Sequence, residues 1–261
     1  MVKLSEIIRE LERHAPLNLQ ESWDNSGLQI GHPRDEVKGV LTAVDVTPEV
    51  IAEAKSVGAN LVLSHHPLLF KGLKSITGST RTQRTVESAI RNNIAVYSSH
   101  TALDNAENGV SVMLARKTGL TPLKPLIGAS SDNKTGTGVV CEVNGVAPQE
   151  ILDSLRKVFK VIRHSNPEIT PRIVKRVAIC SGSGGSFVED AIDEGCQMYI
   201  TGDLRHHDFV DYSDRIFLVD CGHFETEKMT KEFFKDLLNK TFPDIPVYLS
   251  QSDKNPIEYL I

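Results

Sequence analysis

The chain has 261 residues, of which 40% are hydrophobic and 24% are charged, with 18 Gly and 12 Pro. This length allows one large domain or two smaller ones, and this composition excludes collagen-like, low-complexity and disordered chains. Lys and Arg total 29 against 34 Asp and Glu, which gives a net charge of -5 with no dense basic run and disfavours nucleic acid as the main partner.

The four cysteines and the apolar runs indicate the compartment. Cys141, Cys180, Cys196 and Cys221 form no C-x-x-C pair, so neither a zinc knuckle nor a disulfide framework is predicted, and a reducing compartment is favoured. No apolar run approaches the ~18–20 residues that span a bilayer, and the first 15 residues are amphipathic and charged. We therefore predict a cytoplasmic protein that has no membrane partner.

The N-terminal half is predicted to alternate between strands and helices. Leu4, Ile7, Ile8 and Leu11 recur at helical spacing, which predicts a helix that ends before Pro16. Short apolar runs then predict strands over residues 39–46, 61–64 and 94–98, and amphipathic stretches predict helices over 48–57, 82–91 and 110–117. Such alternation is typical of βαβ units, because parallel strands need helical crossovers.

Residues 120–136 have neither helical nor strand periodicity and predict a connector. Beyond it, strands are predicted over 138–143, 174–180, 196–200 and 216–219, and helices over 148–159, 187–194 and 225–238. The predicted domains are an N-terminal α/β lobe over 1–125 and a C-terminal α/β lobe over 126–261. The final helix and strand are allowed to pack back on the first lobe.

The two halves resemble each other. Residues 54–65 can be aligned with 191–202, with a glycine turn leading into a strand in each, and 96–100 can be aligned with 219–223. We predict two similar α/β lobes produced by internal duplication, with a metal site in the cleft between them. Chance similarity between two βαβ units is the alternative.

Histidines and acids follow several of these strands. His65 and His66 come directly after a predicted strand, and both His100…Asp104 and His223…Glu227 place an imidazole and a carboxylate four residues apart, on one face of a helical turn. Ligand crevices lie outside the carboxyl ends of parallel strands. The alternative for each His is a solvated polar loop, but the repeated spacing favours a metal centre.

The ligand types constrain the metal. Imidazole together with carboxylate suits Zn, Mn, Fe, Co or Ni, whereas Mg and Ca prefer oxygen ligands alone. Because the candidates outnumber the three protein ligands of a typical catalytic zinc site, we predict two divalent ions with a carboxylate between them.

Six segments together resemble one known family. They are Trp23–Gly31 (WDNSGLQIG), Ser64–Pro67 (SHHP), Tyr97–Asp104 (YSSHTALD), Ser181–Ser186 (SGSGGS), Thr201–Asp203 (TGD) with His206 and His207, and Gly222–Glu227 (GHFETE). In this order they are similar to the signature blocks of the Nif-three-like family, also called GTP cyclohydrolase 1 type 2 homologues, over nearly the whole chain. A short form without the central inserted domain of longer relatives is indicated.

The resemblance implies a dinuclear metal site formed by His65, His66, Asp104, His223 and Glu227, with Glu227 as the bridge. It also implies assembly as a toroidal homohexamer. We interpret His100 as a residue that orients a ligand or substrate and moves protons, and His207 as a second candidate for proton transfer. For His206 and His207, a position on a helix surface is the alternative.

The glycine-rich segment Ser181–Ser186 joins a predicted strand to a predicted helix. Its backbone N–H groups could receive an anion, or the glycines could simply allow a tight turn, and the sequence favours neither.

Hydrolysis is the reaction that two such ions favour. The resemblance names GTP as the candidate substrate, with addition of water at guanine C8, opening of the imidazole ring and release of formate. The alternatives are a metal-binding scaffold without catalytic activity and a metal-dependent phosphoesterase, because fold and metal site do not determine the reaction.

Overall fold

The computed structural model describes residues 2–129, 134–170 and 172–260. The chain divides into two compact units. Unit 1 comprises Met1–Leu103 and Lys228–Pro256, and unit 2 comprises Asp104–Glu227 and Ile257–Ile261.

The secondary structure alternates along most of the chain. The strands are β1 (Val2–Lys3), β2 (Gly27–Ile30), β3 (Glu36–Val37), β4 (Val40–Ala43), β5 (Leu61–Ser64), β6 (Ala95–Ser98), β7 (Thr121–Lys124), β8 (Ile127–Gly128), β9 (Gly136–Thr137), β10 (Val139–Val146), β11 (Arg163–His164), β12 (Val174–Ser183), β13 (Met198–Gly202), β14 (Phe217–Asp220) and β15 (Val247–Leu249). The α-helices are α1 (Leu4–His14), α2 (Pro48–Ser56), α3 (Arg81–Arg91), α4 (His100–Asp104), α5 (Val110–Lys117), α6 (Pro148–Leu155), α7 (Val188–Asp193), α8 (His206–Asp211), α9 (His223–Glu227) and α10 (Thr230–Thr241).

Unit 1 is built on one main sheet with the strand order β15-β4-β5-β6-β2. The first four strands are mutually parallel, and β2 pairs antiparallel with β6 at one edge. Ala43 pairs with Ser64, and Ser64 pairs with Ser98, so β4, β5 and β6 end at the same level. The residues that follow them therefore emerge at one edge of the sheet.

Unit 2 has a sheet with the strand order β11-β14-β13-β12-β10-β7. Its central strands β12, β13 and β14 are parallel, and the flanking strands are antiparallel to their neighbours. Thr201 at the end of β13 pairs with Asp220 at the end of β14. The carboxyl ends of these strands are thus also level with each other.

Each unit has its own apolar core. All residues of β4, β5, β6, β13 and β14 are buried, as expected for parallel strands with elements packed on both faces. Local signals fix the flanking helices: at α2 the Thr47 hydroxyl accepts a hydrogen bond from the Val50 N–H at 3.2 Å, and Pro48 occupies the first helical position.

The structure confirms the alternating α/β pattern and corrects two elements. The predicted connector over 120–136 contains β7, β8 and the start of β9, because β7 pairs with β10 although its sequence, Thr-Pro-Leu-Lys, lacks strand character. Residues 130–133 of that connector lie outside the described residues. The single helix predicted over 225–238 is two helices, α9 and α10.

The boundaries of the two units differ from those of the predicted lobes, 1–125 and 126–261. Residues 104–125 belong to unit 2, because α5 packs against β7, β10 and β12. Residues 228–256 belong to unit 1, because α10 and β15 pack against β4. The first sheet is therefore completed by a strand that lies near the end of the chain.

Among the described helices, we find none whose length and apolar character would let it cross a bilayer.

Candidate metal centre

His65 and His66 continue the chain directly after β5. Their N–H groups donate to the carbonyls of Ala43 and Val44 at 3.1 and 2.9 Å, so the pairing with β4 extends past the strand end. The Ser64 hydroxyl donates to the His66 carbonyl at 2.8 Å and holds the turn. The two ring centroids are 5.1 Å apart at 45°, with His65 fully buried. The turn thus brings both imidazoles together, whereas a regular strand would separate them.

His66 is oriented by an aspartate from the neighbouring strand. Its Nδ1 lies 2.9 Å from Oδ1 of Asp45, which follows β4. A hydrogen bond at one ring nitrogen fixes the tautomer and leaves Nε2 as the nitrogen that could bind a metal. Sequence reasoning missed Asp45, because the predicted strand over 39–46 included it, whereas β4 ends at Ala43.

His100 lies at the start of α4 and packs against the same pair. Its ring centroid is 5.6 Å from that of His65 and 5.5 Å from that of His66. Its Nδ1 lies 2.6 Å from Oδ1 of Asp24. The backbone φ of His100 is +25°, a strained value for a residue with a Cβ, so the surrounding contacts hold it in place.

Asp24 is the buried anchor of this arrangement. Its carboxylate also accepts hydrogen bonds from the Thr101 hydroxyl at 2.5 Å and the Ser26 hydroxyl at 2.8 Å. Burial alone would raise the pKa of Asp24, but the hydrogen bonds from His100, Thr101 and Ser26 and the charge of His100 outweigh it and hold the pKa well below its usual range. Asp24 is therefore a carboxylate at neutral pH.

Unit 2 contains an imidazole–carboxylate pair at α9. His223 Nδ1 lies 2.7 Å from Oδ2 of Asp203, which follows β13, and its Nε2 lies 3.1 Å from Oε2 of Glu227, one helical turn further along. Glu227 is buried. The predicted spacing of four residues thus does bring His223 and Glu227 together.

Gly182 leaves the space that the Glu227 carboxylate occupies. Its φ is +66°, and a Cβ at this position would collide with Glu227 Oε1 and lie 3.4 Å from His223 Nε2. The glycine is therefore required both by the backbone conformation and by the side chains beside it.

Ligand atoms of His65, His66 and Glu227 all lie within 4.8 Å of one another. Ligands at ~2.0–2.2 Å from a common ion are about 3–4 Å apart. The group could therefore hold one ion after small movements of its side chains. Two imidazole nitrogens and one carboxylate oxygen are also a donor set that first-row transition metals accept. The residues present therefore fit a metal ion.

The remaining predicted ligand, Asp104, ends α4. The charge of Asp104 acts on the buried thiol of Cys180. Burial raises the pKa of Cys180 to about 12, and the negative charges of Asp104 and Glu227 add to this effect. Both predicted carboxylate ligands thus lie near the same thiol. Whether Asp104 binds metal stays a prediction.

His207 lies in the first turn of α8 and is exposed. Its ring centroid is 5.6 Å from that of His206, and its charge helps to lower the pKa of Asp208. These contacts match the helix-surface alternative, and the predicted role of His207 in proton transfer stays a prediction.

Three backbone amides of the glycine-rich segment Ser181–Ser186 donate hydrogen bonds to side chains of the protein. The N–H groups of Ser181, Gly182 and Gly184 donate to the hydroxyls of Ser111, Thr226 and Thr201 at 2.9–3.0 Å. These amides are therefore engaged in positioning β12, and the tight-turn interpretation is favoured over an anion site.

Fold and site together define a class: an α/β protein in which histidines and carboxylates at the ends of parallel strands form a group that could hold a metal. Comparison with known proteins makes this specific. The model of the family described as Duf34/NIF3 (NGG1p interacting factor 3) matches residues 2–256, and the chain belongs to this family.

Relatives match over nearly their full length. A Clostridium perfringens protein named GTP cyclohydrolase 1 type 2 homolog is 34% identical over 99% of this chain and 100% of its own length. NIF3-like protein 1 of Drosophila melanogaster is 32% identical over 98% of this chain and 88% of its own length. The crystal structure of Staphylococcus aureus protein SA1388 superposes with a TM-score of 0.86 at 29% identity, covering 99% of both chains.

Proposed function

We propose that this protein is a metal-dependent hydrolase whose centre holds two divalent ions. The ligands in this proposal are His65, His66, Asp104, His223 and Glu227, with Glu227 as the bridge. The observation that carries it is the group formed by His65, His66 and Glu227, whose ligand atoms lie within 4.8 Å of one another. The contact of 3.1 Å between His223 Nε2 and Glu227 Oε2 supports a bridging role, because it adds another donor beside the same carboxylate.

The chain's own residues would prepare this centre. Asp45 and Asp203 each accept at Nδ1 of a predicted ligand, His66 and His223, so that Nε2 is the nitrogen of each ring that would bind an ion. When bound, such ions lower the pKa of water and polarise an electrophile. The ligand set suits Zn, Mn, Fe, Co or Ni.

His100 is the group best placed to hold a proton beside the centre. Its Nδ1 is engaged by the Asp24 carboxylate at 2.6 Å, and its ring packs on those of His65 and His66. The carboxylate at Nδ1 holds the ring in one orientation, and Nε2 is the nitrogen that would take up and return a proton.

GTP is the candidate substrate, and the support for it is the name of the Clostridium perfringens relative, GTP cyclohydrolase 1 type 2 homolog. In the proposed reaction one water adds at guanine C8 and one C–N bond of the imidazole ring breaks, which leaves C8 as a formamide. A second water hydrolyses this formamide, so that the remaining C–N bond to C8 breaks and formate is released. The same proposal includes proton transfer by His207 and assembly of the chain into a toroidal homohexamer. Light scattering of the purified chain tests the hexamer.

The experiment is a turnover assay with metal-reconstituted protein and a nucleotide panel that includes GTP, with formate and phosphate measured separately. We expect formate release that requires metal and is lost in His66→Ala and Glu227→Gln. His32→Ala and Glu232→Gln, which change an exposed histidine and an exposed glutamate, are the matched controls. Phosphate release without loss of purine absorbance would replace this proposal with a phosphoesterase. No turnover with any metal would favour a scaffold.

A further inference from the structure

Two large aromatic side chains of unit 1 are exposed next to each other. Trp23 is 58% exposed and Phe70 is 46% exposed, and their ring centroids are 5.9 Å apart at 60°. Single exposed apolar residues are common on protein surfaces, but a contacting pair of exposed aromatic rings is a local feature that calls for an explanation. We call this pair the aromatic wall.

The aromatic wall lies beside the imidazoles. The ring centroid of His100 is 6.0 Å from that of Trp23 and 6.2 Å from that of Phe70, with the ring planes near perpendicular in both cases. His100 in turn packs against His65 and His66 at 5.6 and 5.5 Å. The exposed rings are thus one side chain away from two predicted metal ligands.

Hydrogen bonds fix the loops that carry both rings. Asn25 Nδ2 donates to the Leu69 carbonyl at 2.7 Å, and the Leu69 N–H donates to Gln29 Oε1 at 2.7 Å, so both backbone groups of the residue before Phe70 are held. The residue after Trp23 is Asp24, whose buried carboxylate is bonded to His100 and Thr101. Exposed rings on such fixed loops lose little conformational entropy when a ligand binds.

We propose that Trp23 and Phe70 form the binding surface for a planar heteroaromatic ring, such as the purine base of a nucleotide, and so determine substrate class at the metal centre. The proposal builds on the proposed function but needs only binding, not turnover. Aromatic side chains stack with nucleobases, since every base offers a π face, and such stacking is sequence-tolerant. Two rings of about 150–250 Å² each offer far less than the ~800 Å² per side of a stable protein interface, so a small ligand is the occupant we commit to.

Trp23 makes the test direct, because it is the single tryptophan of the chain. We would titrate the full chain in the presence of Zn²⁺ with guanosine, GTP and ribose 5-phosphate, while the tryptophan fluorescence is recorded. We expect saturable quenching by guanosine and GTP, because a stacked purine contacts the indole. Ribose 5-phosphate has no π face and is expected to leave the emission unchanged.

Phe70→Leu tests the second ring while Trp23 remains as the probe. We expect about 5- to 150-fold weaker binding of guanosine, the range found when one stacking ring is removed. Tyr248→Leu is the matched control and should leave binding unchanged. Tyr248 is an exposed aromatic residue of β15, which is the edge strand opposite β2 in the main sheet of unit 1.

The outcomes separate this inference from the proposed function. Saturable quenching together with absent turnover would support purine binding by the aromatic wall and overturn the proposed hydrolase activity. GTP turnover with no quenching, and with unchanged KM in Phe70→Leu, would overturn the aromatic wall and leave the hydrolase. Loss of oligomers in Phe70→Leu with unaltered guanosine binding would overturn it too, because the rings would then be covered by a second copy of the chain.

Discussion

Units 1 and 2 each place a histidine at the first residue of a five-residue helix that follows a parallel strand. The partners of these histidines differ in burial. The aspartate beside His100 is Asp24, whose side chain is 0% exposed, whereas the aspartate beside His223 is Asp203, whose side chain is 48% exposed. Since water screens an exposed pair, the same sequence spacing yields a rigid anchored imidazole in unit 1 and a more weakly held one in unit 2.

The largest effect is expected in unit 2, from Gly182→Ala. The new methyl group would collide with the Glu227 carboxylate, and the φ of +66° adds backbone strain. We expect about 100-fold weaker metal binding, measured by competition with a chelator of known affinity. Gly195→Ala is the control, because its φ is +71° and a Cβ there meets nothing within 4 Å. Equal effects of the two variants would mean that only backbone strain matters and that Glu227 holds no ion.

Asp24→Asn addresses the buried anchor of unit 1. Removing one charge from this hydrogen-bonded network should lower the free energy of unfolding by about 1–3 kcal/mol at pH 7. Urea unfolding measures it, with Asp35→Asn, an exposed aspartate of the same unit, as control.

The pH dependence of Asp24→Asn has a defined sign. The pKa of Asp24 is lowered in the folded protein, so its stabilisation is present above the unfolded value of about 3.9 and is lost as the pH falls toward the folded pKa. The difference between wild type and Asp24→Asn should therefore shrink below about pH 4. A difference that grows on acidification would contradict the assigned anchor.

Asp45→Asn and Asp203→Asn test the two exposed orienting aspartates. Each accepts at Nδ1 of a predicted ligand, at 2.9 Å for His66 and 2.7 Å for His223. Loss of such a partner weakens metal binding by about 10-fold, which is about 1.4 kcal/mol, and we expect this in both variants. Calorimetric titration with Zn²⁺ measures it. If only one variant weakens binding, only its histidine is a ligand.

The smallest effect concerns the cysteines, all of which lie in unit 2. All four are buried, and burial raises the pKa of Cys180 and Cys141 to about 12. We expect thiol reagents to react slowly with the native protein, and Asp24→Asn in unit 1 to leave the rate nearly unchanged. Fast labelling of the native wild-type protein would show that unit 2 opens more readily than its burial indicates.

Periodicity predicted most helices and strands of the described residues, because parallel strands such as β5 and β13 are short, wholly buried runs of mostly apolar residues. It failed where tertiary pairing decides the structure. β7 exists through its pairing with β10, and β15 joins β4 from more than 200 residues away in sequence. Local sequence cannot reveal either contact.

The candidate ligands were easier to predict from the sequence than the residues that orient them. His65, His66 and Glu227 were found from their spacing and position, and the structure groups them. Asp45, Asp24 and Asp203 gave little signal as orienting groups, because their roles depend on contacts with His66, His100 and His223 that are remote in sequence. The internal duplication, the hexamer and the second ion remain predictions.

His65, His66 and Glu227 are proposed to belong to one metal centre, and the metal content of the purified protein tests this proposal. We would measure metal per chain, by mass spectrometry of the elements, in protein purified without chelators or added metal. We expect about two ions per chain in the wild type and in His32→Ala, and a clear loss in His66→Ala and Glu227→Gln. Metal content that is unchanged in these two variants, or absent from the wild type, would contradict it.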